Sequence, residues 1–319
     1  MISITRQFHS LFYFFNYSFF SLTLILSLSA NASDANNNFA LVKVEQGIYA
    51  HLGLHESIES KQRDNIANIG FIIGDDCIAV IDTGGSVKIG EQLRASIRTI
   101  SEKPVCYVIN THIHYDHILG NHAFVADKPV FVGHQQLPDA IEQNRNFFLE
   151  QFKAELGNSA ENAIIGPSLL VEQSTEIDLG NRILTLKAFP VSHSHNDLIV
   201  IDNNTRTLWS GHLIFRERVP SLTGSLRGWI KTMNAIADLD IKKVVPGHGT
   251  IANSLEGAML QQHQYLTKVL DETRKAIAEG QFLNDAVENI DKDNQGNWLL
   301  HEYQHPTNVS RAFTELEWE

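Results

Sequence analysis

Cysteine and basic residues are scarce in this 319-residue chain, and each scarcity excludes a class of protein. Two cysteines, Cys77 and Cys106, are too few for a thiolate metal cage or a scaffold built on disulfides. Lysine and arginine total 25 against 37 acidic residues, which gives a net charge of −12. Such a surface argues against nucleic acid or an anionic membrane as a partner, so we expect a small-molecule substrate.

Long apolar runs are also missing, with one exception at the N terminus. Residues 1–32 carry one strong charge, Arg6, then a long apolar and aromatic stretch that ends in Ala30-Asn31-Ala32. This order is typical of a secretory signal peptide, and an uncleaved N-terminal anchor is the alternative. We expect a periplasmic protein whose mature chain has 24 basic and 37 acidic side chains and makes no stable membrane contact.

The two cysteines lie in apolar segments that have the composition of buried strands. These segments are CIAVID and VCYVIN. In an oxidising compartment the thiols would form a disulfide if the two strands are neighbours. Otherwise they are two unpaired, buried, small hydrophobic residues, and both alternatives stay open.

The order of apolar patterns predicts an α/β protein. Short β-rich runs precede a predicted helix over residues 87–100, and the strand VCYVIN then leads directly into THIHYDH. A long helix over about 135–155, beginning near His134, precedes a second half in which strands again end near histidines. Further helices are predicted over 226–238 and 254–279. Because sites of open α/β sheets lie beyond the carboxyl ends of strands, we expect a site at these histidines.

One domain, residues 33–319, is the economical interpretation, since no repeat or low-complexity segment interrupts the chain. Its tail is rich in aromatic residues, namely Trp298, Tyr303, Phe313 and Trp318. That composition is not typical of disorder. We therefore expect a helical tail that packs on the rest of the domain.

The strongest chemical signal is the segment HIHYDH at positions 112–117. In an extended loop, residues two apart point to the same side, so His112 and His114 can bind one ion. Asp116 and His117 then face the neighbouring position and can bind a second ion. Zinc accepts imidazole nitrogen and carboxylate oxygen, and four such groups would be poorly suited to an ordinary core. The segment therefore predicts a zinc site.

Together with Asp82 in VIDTG and His248 in PGHG, this segment resembles the metallo-β-lactamase superfamily over residues 40–290. The resemblance implies an α/β fold, a four-layer αββα sandwich with the site along one edge. It implies two zinc ions, with ligands His112, His114 and His193 for the first and Asp116, His117 and His248 for the second. It also implies that Asp82 steadies the loop and that Gly120 and Asn121 form the turn that closes it.

Longer stretches narrow the resemblance. The segments NIGFIIG, AVIDTGGS, YVINTHIHYDHILGN and VPSLTGSLRGW and the ending ELEWE are similar to the quinoprotein relay system zinc metallohydrolases. Members of that group are exported and are associated with quinone-cofactor dehydrogenases. The resemblance therefore implies export and a quinoprotein dehydrogenase system as a partner, but no particular substrate.

The segment SHSHNDL offers two histidines for one ligand position. The family spacing to Asp197 and Leu198 favours His193 as the ligand. His195 is then expected to line the pocket or to support a ligand.

His212 in WSGHLIF departs from the superfamily, which usually has an aspartate there that bridges both metals. A neutral imidazole offers one lone pair to one metal, so it cannot bridge two ions as a carboxylate does. Weaker binding of the second metal should follow. Three outcomes stay open, of which the first is favoured: His212 ligates the second metal alone, stands free as an acid–base group, or belongs to a site with one ion.

These residues predict a zinc-dependent hydrolase. Zinc lowers the pKa of bound water from roughly 16 to roughly 7, so that hydroxide is available at neutral pH. Asp116 would orient that hydroxide and pass a proton to the leaving group. Esters, thioesters, lactones and related carbonyl substrates fit this chemistry. A class B-like β-lactamase and a non-catalytic periplasmic metal-binding accessory protein are the alternatives.

Overall fold

Two β-sheets form the centre of the fold in the computed structural model, which describes residues 1–2, 39–157 and 160–319. The strands of the first sheet are β1 Leu41–Glu45, β2 Ile48–His51, β3 Ile69–Ile73, β4 Ile78–Ile81, β5 Val105–Ile109, β6 Val130–His134 and β7 Leu169–Val171. Those of the second are β8 Ser174–Asp178, β9 Ile183–Ala188, β10 Leu198–Asp202, β11 Thr207–Trp209 and β12 Lys243–Val245. The first sheet keeps chain order, and the second has the order β12-β11-β10-β9-β8.

Helices flank both sheets. They are α1 Val87–Ile100, α2 Tyr115–Ile118, α3 Leu137–Gln151, α4 Lys153–Leu156, α5 Ala160–Ala163, α6 Leu226–Ala237, α7 Leu255–Ala278, α8 Leu283–Asn289 and α9 His301–Leu316. Serine side chains cap three of them, because Ser86, Ser225 and Ser254 each accept a hydrogen bond from the backbone N–H three residues later. The sequence therefore encodes where α1, α6 and α7 begin.

Apolar residues pack in three layers between these elements. Between the sheets, Ile81 and Ile109 of the first sheet share a buried cluster with Leu198 of the second. The outer face of the first sheet packs against α1, and that of the second packs against α6, α7 and α9. This order of helix, sheet, sheet and helix confirms the predicted four-layer αββα sandwich.

Parallel strand pairs bring the site residues to one edge. The strands β4 and β5 run parallel, as do β11 and β12, so the carboxyl ends of each pair lie together. Asp82 and His112 follow β4 and β5, while His212 and His248 follow β11 and β12. The fold thus joins four segments that are distant in sequence.

Some local predictions were wrong. His134 ends β6 and does not begin a helix, and the predicted helix over 135–155 is interrupted at Phe152, between α3 and α4. The tail is helical as α9, and Trp298 is buried, but Trp318 is 86% exposed. The predicted signal peptide lies outside the described residues, apart from Met1 and Ile2.

The cysteines flank the contact between two neighbouring strands. Cys77 directly precedes β4 and Cys106 lies in β5, and both are free thiols. Burial, with the neighbouring Cys106, raises the pKa of Cys77 to about 12. The Cys77 thiol therefore stays protonated at neutral pH.

Within the described residues no helix is long and apolar enough to cross a membrane.

Candidate metal centre

Four imidazoles converge in the first ligand set, which consists of His112, His114, His193 and His212. His212 Nδ1 lies 2.9 Å from His112 Nε2 and 3.0 Å from His114 Nδ1. His193 Nε2 lies 3.2 Å from each of His114 Nδ1 and His212 Nδ1. Nitrogen atoms at these separations fit the corners of one tetrahedral zinc site with Zn–N bonds of about 2.0 Å.

The second ligand set consists of Asp116, His117, His212 and His248, all of them buried. Asp116 Oδ2 lies 3.4 Å from His248 Nε2 and 3.6 Å from both His117 Nε2 and His212 Nε2. This oxygen has no hydrogen-bond partner among the described residues. A buried carboxylate oxygen is costly without a partner, and a bound cation would satisfy it, so the donors present fit a divalent metal.

Asp82 holds residues in or next to both ligand sets through hydrogen bonds. Its left-handed backbone, with φ of 55°, turns the carboxylate toward the loop that follows β5. Oδ1 accepts a hydrogen bond from the Thr111 N–H, and Oδ2 accepts one from the Thr111 hydroxyl, each at 2.8 Å. His117 Nδ1 also donates to Oδ2, at 2.7 Å. A carboxylate that holds the outer nitrogen of a histidine orients the other nitrogen toward a metal.

The turn after the HIHYDH segment leaves no space for a side chain at Gly120. A Cβ atom there would lie 2.1 Å from the Thr83 carbonyl oxygen. The next residue, Asn121, exchanges two hydrogen bonds with the Asn110 amide and accepts one from the Thr83 hydroxyl. These contacts join the end of the turn to β4 and β5 and hold the ligand loop in place.

Burial keeps most of the ligand imidazoles neutral. Burial and the neighbouring imidazoles lower the pKa of His112, His193 and His212 well below its usual value. Burial also lowers the pKa of His114 to about 4 and that of His248 to about 3. Each ring therefore keeps a lone pair for an ion at neutral pH.

Two members of the second ligand set behave differently. Burial acts to lower the pKa of His117, but the carboxylates of Asp82 and Asp116 outweigh it and raise that pKa. Burial acts to raise the pKa of Asp116, but the imidazoles of His117 and His248 outweigh it and hold that pKa well below its usual range. Asp116 is therefore ionised, as a metal ligand or proton acceptor must be.

A cavity of about 650 Å³ opens onto both ligand sets, and its wall includes His114, Asp116, His212 and His248. Ile113 and Phe148 are among its apolar residues. His193 belongs to the first ligand set, whereas His195 is exposed and lines the cavity. The structure thus places His193 among the candidate ligands and His195 in the cavity wall.

Arg218 lies in the cavity wall and carries a charge that the sequence analysis does not predict. It is 8% exposed, and its Nη1 donates to the Glu56 carbonyl at 3.3 Å. Its Nε has no hydrogen-bond partner, and no carboxylate of the described ranges forms an ion pair with it. No local motif marks this arginine, because its role depends on the cavity around it.

A third buried group, Asp291, His301 and His305, lies in the tail. Both ring nitrogens of His305 already have partners, the Tyr265 hydroxyl at 2.8 Å and the Ile290 carbonyl at 2.9 Å. His305 therefore has no lone pair left for an ion. Asp291 Oδ2 and His301 Nε2 lie 3.7 Å apart without a hydrogen-bond partner among the described residues, so this group offers two ligands where each ligand set offers four.

Known proteins resemble this chain in family and in fold. Residues 63–248 match the family described as the metallo-beta-lactamase superfamily. A curated relative, the linear primary-alkylsulfatase of Pseudomonas sp. (strain ATCC 19151), is 41% identical over 56 residues. That match covers 18% of this chain and only 11% of the relative.

Two solved structures share the fold at low sequence identity. A metallo-beta-lactamase from Pontibacter korlensis has a TM-score of 0.56 and 19% identity, and the match covers 70% of this chain and 98% of that one. The stereoselective inverting sec-alkylsulfatase from Pseudomonas sp. has a TM-score of 0.66 and 15% identity. That match covers 87% of this chain but 50% of the alkylsulfatase, so the chain spans about half of its length.

Members of this superfamily are hydrolases that bind divalent metals, and the two ligand sets suit such ions. The family match covers more than half of the sequence. It includes all seven residues of the two ligand sets, and it ends at one of them, His248. The chain belongs to the metallo-beta-lactamase superfamily.

Proposed function

We propose that this protein is a zinc-dependent hydrolase that cleaves an ester, thioester, lactone or related carbonyl substrate. The observation that carries the proposal is the buried Asp116 Oδ2, which has no hydrogen-bond partner among the described residues and lies among the imidazoles of the second ligand set at the wall of a cavity. Six histidines and one carboxylate suit zinc better than magnesium or calcium, which prefer oxygen ligands. We propose two zinc ions per chain, one for each ligand set.

When bound, zinc would supply a nucleophile at neutral pH and a positive charge that stabilises the developing oxyanion. The chain's own contribution is positional. Asp116 is ionised and faces the cavity, so it can take a proton there and pass it to the leaving group. Ile113 and Phe148 present apolar surface that would hold the organic part of a substrate and exclude water.

A second candidate is a sulfate-ester hydrolase. The observation that favours it is Arg218, a buried guanidinium that lies in the cavity wall without a carboxylate partner among the described residues. A guanidinium binds anionic oxyacids through paired, charge-assisted hydrogen bonds. The curated relative is named as an alkylsulfatase, and an alkyl sulfate is a sulfate ester.

The test combines metal content with turnover. Zinc-loaded mature protein would be assayed with a p-nitrophenyl ester, a thioester, a lactone, a β-lactam and an alkyl sulfate. We expect turnover of a carbonyl ester, and at least about a 100-fold loss of kcat/KM in Asp116→Asn. The control is Asp178→Asn, which alters an exposed carboxylate bonded to the Gly180 N–H.

Each other result points elsewhere. Full turnover in Asp116→Asn with both ions retained would contradict the role of Asp116. Preferred hydrolysis of the alkyl sulfate or the β-lactam would replace the carbonyl-ester class with the sulfatase or class B-like β-lactamase alternative. Full metal content without any turnover would support the accessory-protein alternative.

We also propose that the chain is exported to the periplasm and acts beside a quinoprotein dehydrogenase system. The N-terminal pattern of residues 1–32 and the similarity of several segments to quinoprotein relay system metallohydrolases support this proposal. Mass spectrometry of the protein from a periplasmic fraction would test it. A mature N terminus at Ser33 is expected, and an intact N terminus in the membrane fraction would contradict cleavage.

A further inference from the structure

His212 lies between the two ligand sets and belongs to both. Its Nδ1 faces the first ligand set, 2.9 Å from His112 Nε2. Its Nε2 faces the second, 2.8 Å from His117 Nε2. None of the three outcomes considered from the sequence includes this arrangement, because each assumes that the ring serves at most one ion.

Hydrogen bonds fix which nitrogens of the neighbouring rings carry protons. The Thr111 hydroxyl donates its only hydrogen to Asp82, so it must accept a hydrogen bond from the Nδ1–H of His112, 3.0 Å away. His117 donates its Nδ1–H to Asp82, and His248 donates its Nδ1–H to the Ile66 carbonyl. As neutral rings, all three therefore direct a bare Nε2 lone pair into the site.

Hydrogen bonding among neutral rings cannot account for both sides of His212. A neutral imidazole has one N–H, so it can donate to the lone pair of His112 or to that of His117, but not to both. The other side would then hold two lone pairs less than 3 Å apart, which is repulsive. An imidazolium could donate on both sides, but its charge would be buried among five other imidazoles. Two arrangements relieve this contact: a proton on His117 Nε2, which the carboxylates of Asp82 and Asp116 favour, or cations in the two ligand sets. The nitrogen separations of 2.9 to 3.2 Å around His212 Nδ1, which fit a tetrahedral ion, favour the cations.

We infer that His212 is a bridging ligand that gives Nδ1 to an ion in the first ligand set and Nε2 to an ion in the second. For this, the ring loses its remaining N–H proton to solvent and becomes an imidazolate, with a lone pair on each nitrogen. A neutral imidazole cannot bridge two ions, but an imidazolate can.

Charge supports a bridge of this kind. Two divalent ions with Asp116 and a neutral His212 would leave a charge of +3 before any solvent ligand is counted. An imidazolate lowers that charge to +2, the same value that a bridging aspartate gives. His212 therefore replaces one monoanionic bridge with another. The inference requires metal binding but not any particular hydrolytic activity.

The test uses metal binding and magnetic coupling as readouts. The mature protein would be loaded with Co²⁺ or Cu²⁺, analysed for ions per chain, and examined by electron paramagnetic resonance. We expect two ions per chain that are exchange-coupled through the shared ring. In His212→Ala we expect no coupling and a lower metal affinity in both ligand sets. Loss of a residue that only supports a ligand costs about 10–100-fold in metal affinity, and loss of a ligand should cost more.

Two further variants keep the test decisive. His212→Asp is expected to restore binding of two ions through a carboxylate bridge, with a different coupling. His263→Ala, which removes a histidine bonded to Asn234 on the outside of the domain, is the matched control and should bind like the wild type. One ion per chain in the wild type, two uncoupled ions, or loss of affinity in only one set of His212→Ala would overturn the inference.

Discussion

Replacing Asp82 with asparagine should weaken the second metal site without disturbing the fold. Asparagine has the same size as aspartate and tolerates the left-handed backbone at this position, where φ is 55°. Asp82 accepts three hydrogen bonds, two from Thr111 and one from His117 Nδ1, at 2.7 to 2.8 Å. The asparagine side chain has one acceptor oxygen and one N–H₂ group. Its N–H₂ group must therefore face one of the groups that donate to Asp82.

The consequence passes to the metal through His117. If the new amide faces His117 Nδ1, the ring can avoid a donor–donor contact only by moving its proton to Nε2, which removes the lone pair from the second ligand set. Losing such a supporting partner typically costs about 10–100-fold in metal affinity. That corresponds to about 1.4–2.7 kcal/mol of binding free energy.

The assay is competition with a chromogenic zinc chelator, which gives the affinity of each ion separately. Asp82→Asn should lose 10–100-fold for the second ion and less for the first, because His112 is supported only indirectly, through the Thr111 hydroxyl. Asp178→Asn serves as the control, and thermal unfolding of the metal-free proteins checks the fold. Affinity for the second ion within about two-fold of the wild type would refute the reasoning.

Two further predictions concern stability. Asp202 accepts two hydrogen bonds from the Arg182 guanidinium, at 2.8 and 3.0 Å, in a buried ion pair. Asp202→Ala would leave that guanidinium buried without its partner, so it should lower the free energy of unfolding, measured in denaturant, by about 3–5 kcal/mol. A loss below about 1 kcal/mol would contradict this prediction. Burial raises the pKa of Asp197 to about 7, although Ser194 donates two hydrogen bonds to it. Because this pKa exceeds the unfolded value of about 3.9, the contribution of Asp197 to stability is complete below pH ~4 and is lost as the pH rises through 7. Asp197→Asn should abolish that decline in the metal-free protein, and an equal pH dependence in both proteins would count against it.

Where hydrophobic periodicity or a capping residue was strong, the sequence predicted the fold well. The helix α1 has the predicted bounds because Ser86 caps it and Leu93 lies on its buried face. The strands β6 to β8 were not predicted, since they are short, and since β6 and β7 pair with each other across the helices α3 to α5. His134 shows the same limit: its position at the end of β6 depends on pairing with β7.

The candidate site shows a different limit. All seven residues that the structure brings together in the two ligand sets were named from the sequence; six follow a family pattern in type and spacing, and His212 follows it in position only. The sequence could not predict that His212 would present one nitrogen to each set, since ring orientation depends on contacts with neighbours 100 and 95 residues away. Arg218 was missed for a similar reason, because only the folded chain shows that it faces the cavity.

The origin of the ligands has a consequence for the lifetime of the protein. His112 and His117 follow a strand of the first sheet, whereas His193, His212 and His248 follow strands of the second. An ion in either set therefore ties the two sheets together, and the unfolded chain cannot offer the same ligands. At a free metal concentration of 100 times Kd, each ion would add about 2.7 kcal/mol to the free energy of unfolding. Metal supply would then control how often the sheets separate, and with it how quickly proteases degrade the chain.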